Sequence, residues 1–352
     1  MTNDHPRLRA FLALCLARLR EFYREPEVVF WGFVFPILLS VGLGLAFRNR
    51  APEASAVAVV DGPGATLVRA ALAPAALVKA STMSEAEAAQ ALRLGRVDVV
   101  VAPAVDRARP VEYRLDPQRP EAILARARVD DALQRAAGRK DPLASRDVAL
   151  SEPGGRYIDF LIPGLIGMNL MSGGMWGMGF NLVDMRIKRL LKRLFATPLR
   201  RADFLAAQMS VRVGFTVIEV AFLIAFGHWA FQVPLRGSLA AVFLVGTLGA
   251  LAFGGMGLLV ASRATRIETV TGLMNVVMMP MFICSGIFFS ADRFPAALQP
   301  LVRALPLTAL IDALRAVILE GATLASQSGR LLVLALWGGA SFALGLRLFR
   351  WS

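Results

Sequence analysis

Histidine and cysteine occur only twice each in 352 residues, and acidic side chains are outnumbered by basic ones, 26 to 39. So few histidines and cysteines leave no metal-ligand spacing anywhere in the chain. Cys15 and Cys284 fall on opposite sides of the topology derived below, so no internal disulfide is expected. No GxxxxGK followed by Ser or Thr occurs, which excludes a P-loop able to cradle nucleotide phosphates. Charge is also missing over long distances. Val28–Phe47, Phe160–Val183, Gly237–Ser262 and Thr269–Ala291 carry none; Val213–Leu235 holds one acid, Glu219, and Gly329–Leu346 holds only Arg330. Each stretch has about the 20 residues that a helix rising 1.5 Å per residue needs to cross a bilayer. With 56% hydrophobic residues and a positive mean hydropathy, the chain is predicted to be a mainly α polytopic membrane protein with six transmembrane helices.

The net charge of +13 raises nucleic acid as a partner, but six spans scatter the charges rather than gather them on one face. No nucleic acid is expected. The distribution orients the chain instead. One side carries Arg7, Arg9, Arg18, Arg20, Arg24, the seven bases between Arg186 and Arg201, then Arg263, Arg266, Arg347 and Arg350. The short flanks of the other side hold only Arg236, Arg293, Arg303 and Arg315. The positive-inside rule makes the rich side cytoplasmic, with both termini inside. The N-terminus does not read as a cleavable signal, because the apolar run starts only at Val28 and continues to bilayer length. Residues 1–27 read as a cytoplasmic amphipathic helix at the interface, with Pro26 dividing it from the first span at 28–47.

Residues 48–155 read as a separate extracytoplasmic domain of small α/β type. Ala56–Val60, Val97–Ala102 and Val111–Leu115 have strand character. Ser84–Leu94 reads as a helix whose Ser84 and Glu87 form a capping box, and Pro120–Ala137 as a helix with proline in its first turn. The domain has no histidine and no nucleophile motif. A folded cap or assembly surface and a substrate-binding domain both fit it. Residues 156–352 then form a five-helix transmembrane domain. Within it the second span pairs Gly173 with Gly177 in a small-xxx-small pattern for close helix approach.

Three groups of residues carry the functional expectations. Residues 184–201 read as a basic amphipathic helix on the cytoplasmic face, a contact for a partner, with Arg186, Lys188, Arg189, Lys192 and Arg193 and a stop at Thr197-Pro198; Ile187, Leu190, Leu191 and Leu194 make its apolar stripe. The methionines of the second and fifth spans suggest a shared, adaptable apolar lining of a translocation path, with Met171, Met175, Met178, Asn275, Met278 and Met279 in it. Glu219 lies in mid-span with Arg212 two turns earlier on the same face. A proton relay, a partner for a cationic group, and a hydrogen-bonded packing residue are the options for it. After the fifth span, prolines 295, 300 and 306 forbid one long helix. Residues 292–320 therefore read as short re-entrant helices at the outer face, with Pro306, Asp312 and Arg315 in them.

The order of four motifs resembles the ABC-2 type permeases, the membrane subunits of ATP-binding-cassette exporters. They are REFYREPE before the first span, the long insert after it, RLLKRLFATPLRRADFL after the second span, and SGIFFSADRFPAALQPLVRALPLTALIDALRAV after the fifth. The resemblance covers essentially the whole chain. It implies that Asp184–Pro198 contacts a separate ABC ATPase subunit, which supplies ATP hydrolysis, so this chain is itself no enzyme and needs no cofactor. It also implies a homodimer or a heterodimer with a second permease, spans two and five beside the pathway, and a bacterial inner membrane. The expected cargo is an amphipathic or hydrophobic substrate such as a drug, antibiotic or lipid-like molecule, with membrane lipids as the remaining partner. A secondary transporter and a non-transporting scaffold or receptor are the alternatives from the residues alone.

Overall fold

The computed structural model describes residues 26–47, 54–103, 110–140, 154–196 and 200–349, with positions 16 and 143 besides. The chain divides into two compact units, residues 49–150 and the remainder. The amphipathic stretch read at residues 1–27 lies outside the described residues apart from Leu16, Pro26 and Glu27.

The smaller unit is a four-stranded sheet of order β2-β1-β3-β4: β1 Ser55–Val60, β2 Val78–Met83, β3 Val99–Ala102 and β4 Glu112–Arg114. β1 runs parallel to β2 and β3, and β4 is antiparallel to β3. Alternation along the strands decides the layers. Val57, Val59, Val99 and Val101 pack against α2 (Ala65–Leu72) and α4 (Pro120–Ala136) on one face. Ala58 and Val100 pack against Ala88 and Ala91 of α3 (Glu85–Arg93) on the other. α3 starts where the sequence predicts. Ser84 N–H donates to Glu87 Oε2 at 3.0 Å, and Glu87 N–H donates to Ser84 Oγ at 3.3 Å. The Ser84 backbone N–H foremost, and the Ser84 hydroxyl that donates to Oε2 at 2.8 Å, hold the Glu87 carboxyl below its ordinary range. Burial, helped by the hydrogen bond to Asp130 at 3.0 Å, pushes the Tyr113 hydroxyl up to about 12. Sequence patterning missed α2 and β2. β2 reads VKASTM, an edge strand with one paired side, so it has no apolar alternation to betray it.

The larger unit is helical. Among the described residues five helices are long and apolar enough to cross a membrane: α5 (Tyr157–Ile187), the stretch Asp203–Phe231 within α7 (Arg201–Phe231), α8 (Leu239–Ala261), α9 (Ile267–Cys284), and Ala325–Leu348, which contains α12 (Ser328–Leu348). The first predicted span is a shorter apolar helix, α1 (Phe30–Ala46), whose opening Phe30–Val34 is a π-turn. Between α5 and α7 lies the short α6 (Leu190–Phe195). After α9 come α10 (Gln299–Ala304) and α11 (Pro306–Glu320), broken apart at the prolines as the sequence requires.

α8 lies among α5, α7, α11 and α12 and is glycine-rich where they cross. A Cβ on Gly257 would stand 2.8 Å from the Met175 carbonyl, and one on Gly338 of α12 2.9 Å from Ala252 Cα. Backbones this close need glycine. The predicted Gly173/Gly177 contact is corrected. Among the described residues a Cβ on Gly177 would meet nothing within 4 Å, while one on Gly174 would stand 2.7 Å from Phe253 Cβ and one on Gly179 2.7 Å from the Gly257 carbonyl. The cause is a π-turn at Trp176–Phe180 within α5, which inserts an extra residue and brings positions five apart onto one face.

Candidate functional site

The sequence predicts one amphipathic helix through Asp184–Pro198, but the structure makes two. α5 ends at Ile187, Lys188 leaves helical geometry, Arg189 takes a left-handed φ of 56°, and α6 begins at Leu190. An L-residue other than glycine pays about 1–2 kcal/mol for that conformation. The break also resets the helical phase. Leu191 is buried and Leu194 half-buried, whereas Ile187 and Leu190 are exposed. The four-residue stripe is thereby corrected to two inward leucines on a bent elbow. Thr197 and Pro198 lie outside the described residues.

The basic side chains of this elbow divide by environment. Arg186 turns inward, and its guanidinium donates to the carbonyls of Ala261 at 3.1 Å, Ser262 at 3.3 Å and Ala264. It also stacks 4.7 Å from the Phe349 ring centre. The carbonyls at the end of α8 have no helical partners of their own, and a cation there also answers the helix dipole. Lys188 pairs with Asp184 at 2.8 Å. Arg189, Lys192 and Arg193 point outward and are exposed. The elbow is therefore tied to the end of α8 by one arginine and presents cations on its outer side.

Within the helices, Arg212 and Glu219 form a bidentate pair along one face of α7. Nη1 donates to Oε1 at 3.1 Å and Nη2 to Oε2 at 3.0 Å, with both side chains nearly buried. The guanidinium occupies a notch in α5: a Cβ on Gly173 would stand 2.4 Å from Nη1. Glu219 faces α1, whose Gly32 would place a Cβ 4.0 Å from Oε1. Gly32 lies in the π-turn of α1, and its carbonyl accepts from Asn169 Nδ2 of α5 at 2.8 Å. Sequence reasoning placed Arg212 and Glu219 on one face without pairing them, and it missed Asn169. An amide near the middle of a charge-free span is the signal that could have found it.

The methionines do not share one environment. Met171, Met175 and Met178 are buried in the helix core. On α9, Met274 and Met278 are buried, and a Cβ on Gly179 would stand 2.2 Å from Met274 Cε, so the two spans touch there. Asn275 and Met279 lie on the opposite, exposed face of α9.

At the N-terminal end of α5 the contacts are polar and dense. The buried Asp159 carboxylate accepts from Gly154 N at 2.8 Å and from the Arg156 side chain at 2.8 Å, while Arg156 also donates to the Gln232 carbonyl that closes α7. Arg315 of α11 donates to the carbonyls of Phe160 at 3.2 Å and Gly286, and its guanidinium lies 3.5 Å from the Phe160 ring centre. Its separation from Asp312 is 3.8 Å, so the backbone carbonyls rather than that carboxylate are its nearer partners. Pro306 starts α11 as its first helical residue, where a missing N–H costs nothing.

Comparison with known proteins agrees with this architecture. The model of the ABC-2 family transporter proteins matches residues 26–347. ABC transporter G family member 20 of Dictyostelium discoideum is 29% identical over 171 residues, 48% of this chain and 23% of that protein. The probable multidrug ABC transporter permease YbhR of Escherichia coli K12 is 27% identical over 193 residues, 53% of this chain and 52% of that protein. Linearmycin resistance permease protein LnrN of Bacillus subtilis is 24% identical over 176 residues, 50% of this chain and 46% of that protein. The matches thus span about half the length of these relatives or less. With one family matching nearly the whole chain, and five apolar helices of bilayer length, this membrane protein belongs to the ABC-2 transporter family of permeases.

Proposed function

We propose that the chain is the permease subunit of an exporter driven by a separate ABC ATPase. In this reading α1 crosses the membrane as a sixth span and both termini are cytoplasmic. The α/β unit lies on the far side of a bacterial inner membrane. Two permeases, identical or paralogous, form the path. The cargo is an amphipathic or hydrophobic molecule, a class that suits the apolar spans and accords with the multidrug and linearmycin names of two relatives.

The observation that carries the proposal is the elbow. α5 is a single 31-residue helix that runs directly into it, and Arg186 fastens it to the end of α8. A push on the exposed Arg189, Lys192 and Arg193 would move two packed helices at once. The ATPase docks on those cations, and its closure shifts the packing of α5 against α8 to open and close the path.

The test is co-purification of the ATPase with the R189E/K192E/R193E variant. The variant inserts normally, loses the ATPase and exports nothing above background. Retention of the ATPase with normal export overturns the docking assignment. Transport by the permease alone in proteoliposomes under a proton gradient overturns the ATP-driven reading.

A further inference from the structure

α5 is held at both ends by different means. Its N-terminal end is pinned by Arg156 to the close of α7, by Arg315 to α11, and by the Tyr157 hydroxyl, which donates to the Phe288 carbonyl at 3.1 Å. Its C-terminal end carries the elbow. Midway between them stands Gly173, and within one turn after it the helix widens into the π-turn Trp176–Phe180.

What fills the Gly173 notch is unusual for a helix crossing. Arg212 and Glu219 both belong to α7, so their pair does not tie two helices together. It makes instead a stiff polar ridge two turns long, each end of which fixes the other. The Arg212 end fits α5 and the Glu219 end faces the π-turn of α1. The π-turn of α1 thus faces this ridge, and that of α5 begins three residues after the notch that seats it. Hydrogen bonding alone does not explain the seat, because Arg212 Nε is buried there with no acceptor among the described residues. Replacing a buried ion pair by apolar side chains of like size is often neutral or stabilising, so stability is a weak reason to keep one. A fixed seat beside a compliant turn is the geometry of a pivot.

We propose that the Arg212–Glu219 ridge in the Gly173 notch is the fulcrum about which the C-terminal half of α5 turns when the elbow is moved. Arg212 and Glu219 are then positioning residues for transport, neither proton carriers nor a substrate site. The inference rests on the ATPase-driven reading above. Whether the unaltered chain binds and answers to its ATPase is settled before any variant is made, and failure there overturns both.

The experiment compares R212M/E219M, G173A and the swapped pair R212E/E219R with the unaltered chain. It measures folded yield, ATPase retained, ATP hydrolysis and substrate export for each. R212M/E219M folds, retains its ATPase and hydrolyses ATP, but exports about tenfold less per ATP, within the range of coupling between linked sites. G173A keeps both charges but expels the guanidinium from its seat, and shows the same loss. The swapped pair recovers part of the export. Normal export per ATP by R212M/E219M or by G173A overturns the fulcrum. So does a fall in export that only tracks folded yield. If R212M/E219M does not fold, the G173A ratio alone decides between the two.

Discussion

α5 and α9 are the two methionine-rich spans, and they use methionine in opposite ways. In α5, 83% of the apolar stretch is buried inside the molecule, against 22% in α9. α5 is enclosed by α1, α7, α8 and α11, and its flexible thioethers fill the irregular gaps that glycine-lined crossings leave. α9 offers one narrow edge to the body through Val270, Met274, Met278 and Met281, at helical spacing. It leaves Leu273, Asn275, Val276, Met279 and Ile283 outside. Similar composition therefore does not mean a shared environment. What separates the two is glycine: α5 has Gly174 and Gly179 at its α8 crossing, while Gly272 of α9 would meet nothing within 4 Å if it bore a Cβ.

The sharpest way to break this contrast is to add bulk at the crossing. Gly174→Leu must displace the Phe253 backbone, not merely a flexible side-chain tip, and overpacking of that kind costs about 1–3 kcal/mol or more. The expected outcome is near-complete loss of monodisperse protein in detergent, measured by size exclusion. Gly272→Leu on α9 leaves the yield unchanged. Equal losses for the two would mean that α9 is as enclosed as α5.

Removing volume gives the next effect. Met175 is fully buried, so Met175→Ala leaves a cavity and costs about 2–5 kcal/mol. Met279 is mostly exposed, so Met279→Ala stays within about 0.5 kcal/mol. Thermal melting of the two purified variants in one detergent measures the difference. A large shift for Met279→Ala would reveal a partner helix over that face.

These contrasts also mark what the sequence could disclose. Charge-free runs located the apolar helices, since a bilayer-length stretch without ions has few other uses, and Ser84 with Glu87 marked the start of α3. The failures were failures of phase. A π-turn moved the glycine contact from 173/177 to 174/179, and a left-handed Arg189 split one predicted helix into two. Neither break has a proline to announce it. The roles of Arg186 and Gly173 were hidden for another reason. Arg186 closes the end of α8, some 75 residues away, and Gly173 makes room for an arginine about 40 residues on. No local pattern records a partner at that separation.

The smallest effect on folding belongs to Asn275, and it bears most directly on the path. This amide on the exposed face of an apolar span has lost water and has no acceptor among the described residues, so a second permease or a bound polar cargo is left to supply one. Asn275→Leu should leave melting within about 0.5 kcal/mol, because nothing around the amide repacks. In the proposed dimer, the same change alters export of an amphipathic substrate severalfold while ATPase binding stays intact. Export unchanged at saturating and at low substrate alike would assign this face of α9 to lipid. The lining would then belong to the buried methionines of α5, and the two spans would differ in function as well as in burial.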